Sequence, residues 1–217
     1  MQHPGNEVAE ASRVLSVLGL VSAFGHVSQR TGSAMLITPP ADLGLVTAAD
    51  LVEVDLDATS LPPGAPAEAW AHLAVYAARS DVAAIARAQP SAAFAVSALA
   101  GELPVLHGQA CWLGPSVPIH ENARLLRSAE LAEAAAEVLG PSDALLLRGN
   151  GALTCGGTPG LAVARMWLLE AACQTWLAAT ASGMPRPMEF SEAESWRAAA
   201  DELLPRLWLH LKARSQA

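Results

Sequence analysis

Cysteine is scarce in this 217-residue chain, and the three present, Cys111, Cys155 and Cys173, form no Cys-x-x-Cys pair. Their odd number and wide spacing exclude a disulfide framework and a structural zinc site, and a cytoplasmic location is expected. Clustered Lys and Arg are also missing, and the formal net charge is -8. A nucleic-acid backbone is bound by gathered cations, so nucleic acid is not expected as a partner. The N-terminus carries Glu7 and Glu10 ahead of its apolar stretch in place of a basic segment, so it does not read as a signal peptide. No stretch reaches the run of about 18 apolar residues that a membrane span needs, and a soluble protein without a membrane partner is expected.

What is plentiful is apolar side chain: 52% of residues, against 16% charged. Such a balance calls for a large core or for surface buried between subunits. The length suits one domain, and no repeat, low-complexity tract or linker divides residues 1–217.

Apolar residues at helical spacing predict a first helix over 7–20. Alternation on both sides of Thr31-Gly32-Ser33 predicts a hairpin. A short strand in "LVEVD" and a helix over 67–79 follow, with Glu68 in the first turn, where an acid suits the helix dipole. Pro90 is placed to start a helix over 91–99, and strands are expected near 104–107 and 116–119. Ser128 is read as the cap of a helix to Val138, and Gly149-Asn150-Gly151 as the turn of a second hairpin. Two long helices, 159–182 and 191–213, close the chain. Strands interspersed with helices, but few clean βαβ crossovers, predict an α+β-like or three-layer domain around a mixed or antiparallel sheet.

"DVAAIARAQP", residues 81–90, places Arg87 and Gln89 two apart at the end of an apolar run. On a strand they share a face, so both heads emerge together where the strand opens into a loop. That arrangement suits a binding site.

"FGHVSQR", "MLITPP", "AEAWAHLAVYAARSDVAAI", "LPVLH", "LLLRGNGALTCGG" and "LLEAACQTWLAATASGMPRP" occur in an order and spacing that resemble the class II aldolase/adducin-like family over about residues 8–190. The resemblance implies the α/β class, a three-layer α/β/α fold with a central, mostly antiparallel sheet, and a homotetramer with sites between subunits. In the family's metal-dependent aldolases and epimerases, a His-x-His pair and a turn histidine hold zinc or a similar ion. The matching positions here are Arg87, Gln89 and Asn150. Guanidinium has no lone pair to donate and amides are poor zinc ligands, so no metal and no other cofactor is expected there. The family's tyrosine acid matches Gly108, after His107, and its phosphate-holding residues match Pro66, Ala67 and Gly25-His26, which argues against a sugar phosphate. Its acid/base glutamate matches Glu68.

The expectation is a metal-independent lyase acting on a small carboxylated or carbonyl substrate through an enolate or carbanion. Decarboxylation, retro-aldol cleavage, dehydration and cyclisation are all open. Glu68 would move the proton and Arg87 would hold the anion, with His26 and His107 as further catalytic candidates. Gly25, Ser28, Gln89, Trp112 and Asn150 would bind substrate. Each candidate also has a plain alternative: Glu68 as a dipole acid, Arg87 as the ion-pair partner of Glu68, Asn150 as an ordinary turn residue. His120 is a weaker candidate for proton transfer, and His3, His72 and His210 read as structural or exposed. Two rival functions stand beside the lyase. One is a non-catalytic, adducin-like ligand-binding or assembly protein; the other is an aldolase with a metal relocated to Glu68, His26 and His107.

Overall fold

Alternation of small and large apolar residues builds the centre of the molecule. In the computed structural model, which describes residues 4–21 and 23–216, strand β4 spans Ala84–Ala88. Ala84, Ala86 and Ala88 face one core and Ile85 the other, as the two-residue period of a strand requires. The methyl side chains on the first face let a long helix, α5 (Pro159–Ser182), lie close to the sheet.

Around β4 the other strands are β1 (His26–Thr31), β2 (Ala34–Ile37), β3 (Val52–Asp55), β5 (Glu102–Pro104), β6 (Ser116–His120), β7 (Ala144–Leu147) and β8 (Gly151–Gly156). They form one sheet in the order β3-β2-β1-β4-β8-β7-β6-β5. Every pairing is antiparallel except β6 with β7. The helices α1 (Pro4–Val17) and α3 (Ser91–Leu99) join α5 on one face; α2 (Ala69–Ala78) and α4 (Ala129–Leu139) cover the other. This is the three-layer α/β/α architecture expected from the sequence. Among the described residues no helix is long and apolar enough to cross a membrane. His3 lies outside the described residues.

Local chemistry accounts for several boundaries. The Ser128 side chain accepts from the Leu131 N–H and starts α4, and Thr158 does the same with Leu161 at the start of α5. Glu170, buried in α5, turns its carboxylate onto the first turn of α3. It accepts from the Ala92 N–H at 3.0 Å and the Ala93 N–H at 3.3 Å, so α5 caps its neighbour.

Three elements differ from expectation, the first being the opening helix, expected over 7–20 and found at Pro4–Val17. The helix expected over 191–213 is two helices, α6 (Phe190–Arg197) and α7 (Ala200–Arg214). At the break the Trp196 carbonyl accepts the Trp112 indole N–H at 2.8 Å, a long-range contact that the three alanines at 198–200 cannot announce. The strand expected near 104–107 lies at 102–104, because the Val105 carbonyl accepts from the Met188 N–H at 2.9 Å and leaves the sheet.

Candidate active site

Four chain segments converge where β4 ends. Arg87 and Gln89 project from β4 and just beyond it, on the α2 face. His26 begins β1 and is the cross-strand partner of Arg87. Asn150 sits in the turn between β7 and β8, where Gly149 and Gly151 take positive φ. Glu68 stands at the N-terminus of α2, and Arg127 comes from the irregular segment before α4. Together they line a cleft of about 490 Å³ whose apolar walls include Phe24, Phe94 and Leu125. Gly25 closes its back: a Cβ there would lie 2.9 Å from the Arg87 carbonyl oxygen and 2.6 Å from Val21, so only glycine lets β1 approach so closely.

Arg87 is only 2% exposed. Its Nη2 donates to Asn150 Oδ1 at 2.7 Å. With the Gln89 amide turned so that its nitrogen donates to the Phe24 carbonyl, the Gln89 oxygen accepts from Arg87 Nη1 at 3.2 Å. The Nε has no partner among the described residues, and neither does Asn150 Nδ2. Burial lowers the Arg87 pKa and the Glu68 charge opposes that shift, yet among the described residues no carboxylate hydrogen-bonds the guanidinium. The Glu68–Arg87 ion pair expected as one alternative is therefore absent, and the cation rests on neutral amides.

The partner of Glu68 is instead Arg127, whose Nε donates to Oε1 at 2.8 Å. Glu68 Oε2 lies 4.0 Å from His26 Nε2. The Glu68 side chain makes no cap bond to its helix, so its place is in the cleft and not on the helix terminus. Burial pushes its carboxyl up, but the Arg127 hydrogen bond and the nearby Arg87 and Arg127 charges outweigh burial and hold it below its ordinary value. Glu68 is ionised at neutral pH. His26 is neutral: burial first, then the Arg87 charge, push it down to about 4 against the pull of Glu68. An ionised carboxylate, a neutral imidazole and two guanidiniums thus face one small space.

The cleft gathers Gly25, His26, Glu68, Arg87, Gln89 and Asn150 from the sequence candidates. Ser28 lies beneath it, fully buried, its Oγ 2.7 Å from His72 Nδ1 and 2.8 Å from the Tyr76 hydroxyl. It braces α2 against β1 and does not line the cleft. His107 precedes the short 3-10 helix Gly108–Leu113, away from the cleft. Trp112 in that helix is buried against Trp196, its N–H already bonded, so it walls no part of the cleft. His120 is buried at the end of β6, also outside it. Arg127 escaped the sequence reading. Its one signal is its position just before the Ser128 cap, which says that it ends a loop but not that it reaches Glu68.

The chain belongs to the class II aldolase and adducin N-terminal domain family, whose model matches residues 6–177. It is 29% identical over 196 residues to a 3,4-dihydroxyphthalate decarboxylase of Terrabacter sp., covering 81% of each chain. A protein of the same name from Arthrobacter keyseri is 29% identical over 195 residues, 81% of this chain and 78% of that one. An L-fuculose 1-phosphate aldolase structure superposes with a TM-score of 0.84 at 24% identity, over 91% of this chain and 96% of the other, a likeness of fold. The decarboxylase-named relatives support an enzyme of the lyase type.

The divalent ion that the fold family implies does not suit this donor set. Arg87 and Asn150 are hydrogen-bonded to each other at two of the three matching positions, and a guanidinium cannot ligate a cation. The relocated set of Glu68, His26 and His107 is not assembled either. Among the described residues no group of three or more His, Cys, Asp or Glu side chains could hold a metal ion.

Proposed function

We propose that the protein is a decarboxylase that acts without a divalent ion on a small carboxylated substrate, the guanidinium of Arg87 serving as the fixed cation of the site. The observation that carries this reading is the buried Arg87, which faces the cleft with no carboxylate hydrogen-bonded to it among the described residues. A desolvated cation of this kind is stabilised by an anion from outside the fold. The names of the decarboxylase relatives support carbon dioxide loss among the lyase reactions open to such a site.

Decarboxylation breaks a carbon–carbon bond and leaves its electron pair on carbon, to be drained into an adjacent carbonyl or ring. Arg87 would stabilise the oxygen on which that charge accumulates, and the Asn150 and Gln89 amides would hold the guanidinium in place. The apolar walls would strip water from the departing carboxylate, which favours its loss as neutral carbon dioxide. Glu68, a carboxylate in this structure, would take up a proton when substrate binds and deliver it to the carbon that carboxylate loss leaves behind. Gly25 keeps the backbone of β1 tight against Arg87, and His26 beside Glu68 offers a neutral donor or acceptor to substrate. Assembly around the cleft, as the expected homotetramer, belongs to the same reading: Phe24 on its wall is 70% exposed in the single chain.

The test is carbon dioxide release from 3,4-dihydroxyphthalate and simpler aromatic and aliphatic dicarboxylates. The protein would first be dialysed against EDTA and its metal content read by plasma mass spectrometry. Turnover by metal-free protein is expected; stoichiometric metal whose removal abolishes turnover would refute the metal-independent reading. Light scattering of the same sample tests the tetramer.

A further inference from the structure

We infer that Arg127 is a substrate-responsive arm: it pairs with Glu68 in the ligand-free protein and leaves Glu68 for a second acidic group of a bound dicarboxylate, so that Glu68 takes up the proton the reaction consumes. The inference rests on the decarboxylase reading above and adds a residue and a substrate class to it.

The two arginines of the cleft are built differently. Arg87 is immobilised, with its terminal nitrogens held by Asn150 and Gln89 and almost no exposure. Arg127 has a side chain 56% exposed, and its terminal nitrogens make no hydrogen bond among the described residues. Its backbone is pinned on both sides, by the fully buried Leu126 and by Ser128 at the start of α4. The side chain can therefore turn while its anchor stays put. A bidentate guanidinium–carboxylate pair with a substrate would use the unengaged fork.

The consequence falls on Glu68, whose side chain is only 11% exposed. The charged and titratable groups around it are Arg127 from the segment before α4, Arg87 from β4, His26 from β1 and, one turn along its own helix, His72. Withdrawing Arg127 while an anion enters removes its hydrogen bond and adds a like charge, and both favour the neutral acid in a buried setting. The proton count then closes. A carboxylate substrate and one proton give carbon dioxide and a product with a new C–H bond. Glu68 acquires the proton on binding, transfers it to the carbon that keeps the electron pair, and is a carboxylate again when Arg127 returns.

The experiment uses phthalate as the probe and isothermal titration calorimetry at pH 7 in buffers of different ionisation enthalpy, which yields the protons exchanged on binding. The full chain should take up about one proton per bound phthalate, since a group titrating between two states is read as a proton difference. Benzoate, with one carboxylate, should bind at least about tenfold more weakly and without that uptake. Arg127→Met should lose affinity for phthalate by about tenfold or more and lose the uptake, with Arg127→Lys intermediate. Glu68→Gln should bind phthalate without uptake. Uptake that persists in Glu68→Gln would assign the proton to His26 and overturn the inference, as would equal affinity and uptake in Arg127→Met. No binding by the wild-type chain would overturn both the anion site and this inference. Coupled binding without any turnover would overturn the decarboxylase reading alone.

Discussion

Arg87 donates to Asn150, Nη2 to Oδ1 at 2.7 Å, and makes no hydrogen bond to Glu68. Two residues that the sequence resemblance matches to the family's metal-binding histidines are donor and acceptor to each other. The cation that faces the cleft is thus covalently part of the chain and cannot dissociate.

Replacing Arg87 by Met separates stability from function. A buried charge that rests on amides gains little over an apolar side chain of equal length, so the unfolding free energy should stay within about 1 kcal/mol of wild type. Activity should fall at least about 100-fold, the usual cost of losing a fixed donor to developing negative charge. Urea denaturation and kcat/KM measure the two. A stability loss well beyond 2 kcal/mol, roughly two buried hydrogen bonds, would make Arg87 a structural residue.

Glu68→Gln keeps the shape and removes the titratable proton. The expected result is a kcat lowered by about 100-fold to 10,000-fold with KM changed far less, as for loss of a general acid or base. A rise in KM with kcat intact would place Glu68 in binding alone.

His26 should make the protein acid-sensitive. Its folded pKa is depressed to about 4 by burial and the Arg87 charge, below the ordinary 6.5 of an unfolded chain. Between those values the unfolded state binds more protons, so stability is full above about pH 6.5 and declines as pH falls toward 4. The loss from this group is about 3 kcal/mol. His26→Asn should flatten that part of the pH–stability curve, as followed by denaturation at stepped pH. An unchanged slope would show that the imidazole is not held neutral.

Glu170→Ala tests the helix-on-helix cap. Its carboxylate accepts from two backbone N–H groups of α3, from the Ser91 hydroxyl and from Gln174. Removing it strands buried donors at a cost of about 2–4 kcal/mol. Hydrogen exchange should rise first in residues 91–99, and because α3 carries Phe94 into the cleft wall, KM should rise with it. Glu170→Gln should keep part of both.

Much of the scaffold was legible locally. The Ser128 cap, the Gly149-Asn150-Gly151 turn and the apolar run ending in Arg87 and Gln89 each state their structure within a few residues. The clustering of Gly25, His26, Glu68, Arg87, Gln89 and Asn150 followed from the family pattern because those positions sit at strand and helix ends whose geometry the fold fixes. His107 and Trp112 failed for the opposite reason. They lie in an irregular segment whose path depends on α6 and on the Trp112–Trp196 contact, 84 residues apart in sequence.

The sequence by itself determined most helix and strand segments and the chemical identity of the groups at the metal-matching positions, because periodicity, capping and side-chain chemistry are local properties; the α/β/α layers were implied only by the family resemblance. Only the tertiary structure decided which charge meets which. Arg127 and Glu68 are 59 residues apart, and their 2.8 Å contact exists because α4 packs on α2 and brings the loop before it over the cleft. That packing, not any motif, gave the Glu68 hydrogen bond to the half-exposed Arg127 and left the buried Arg87 resting on the Asn150 and Gln89 amides.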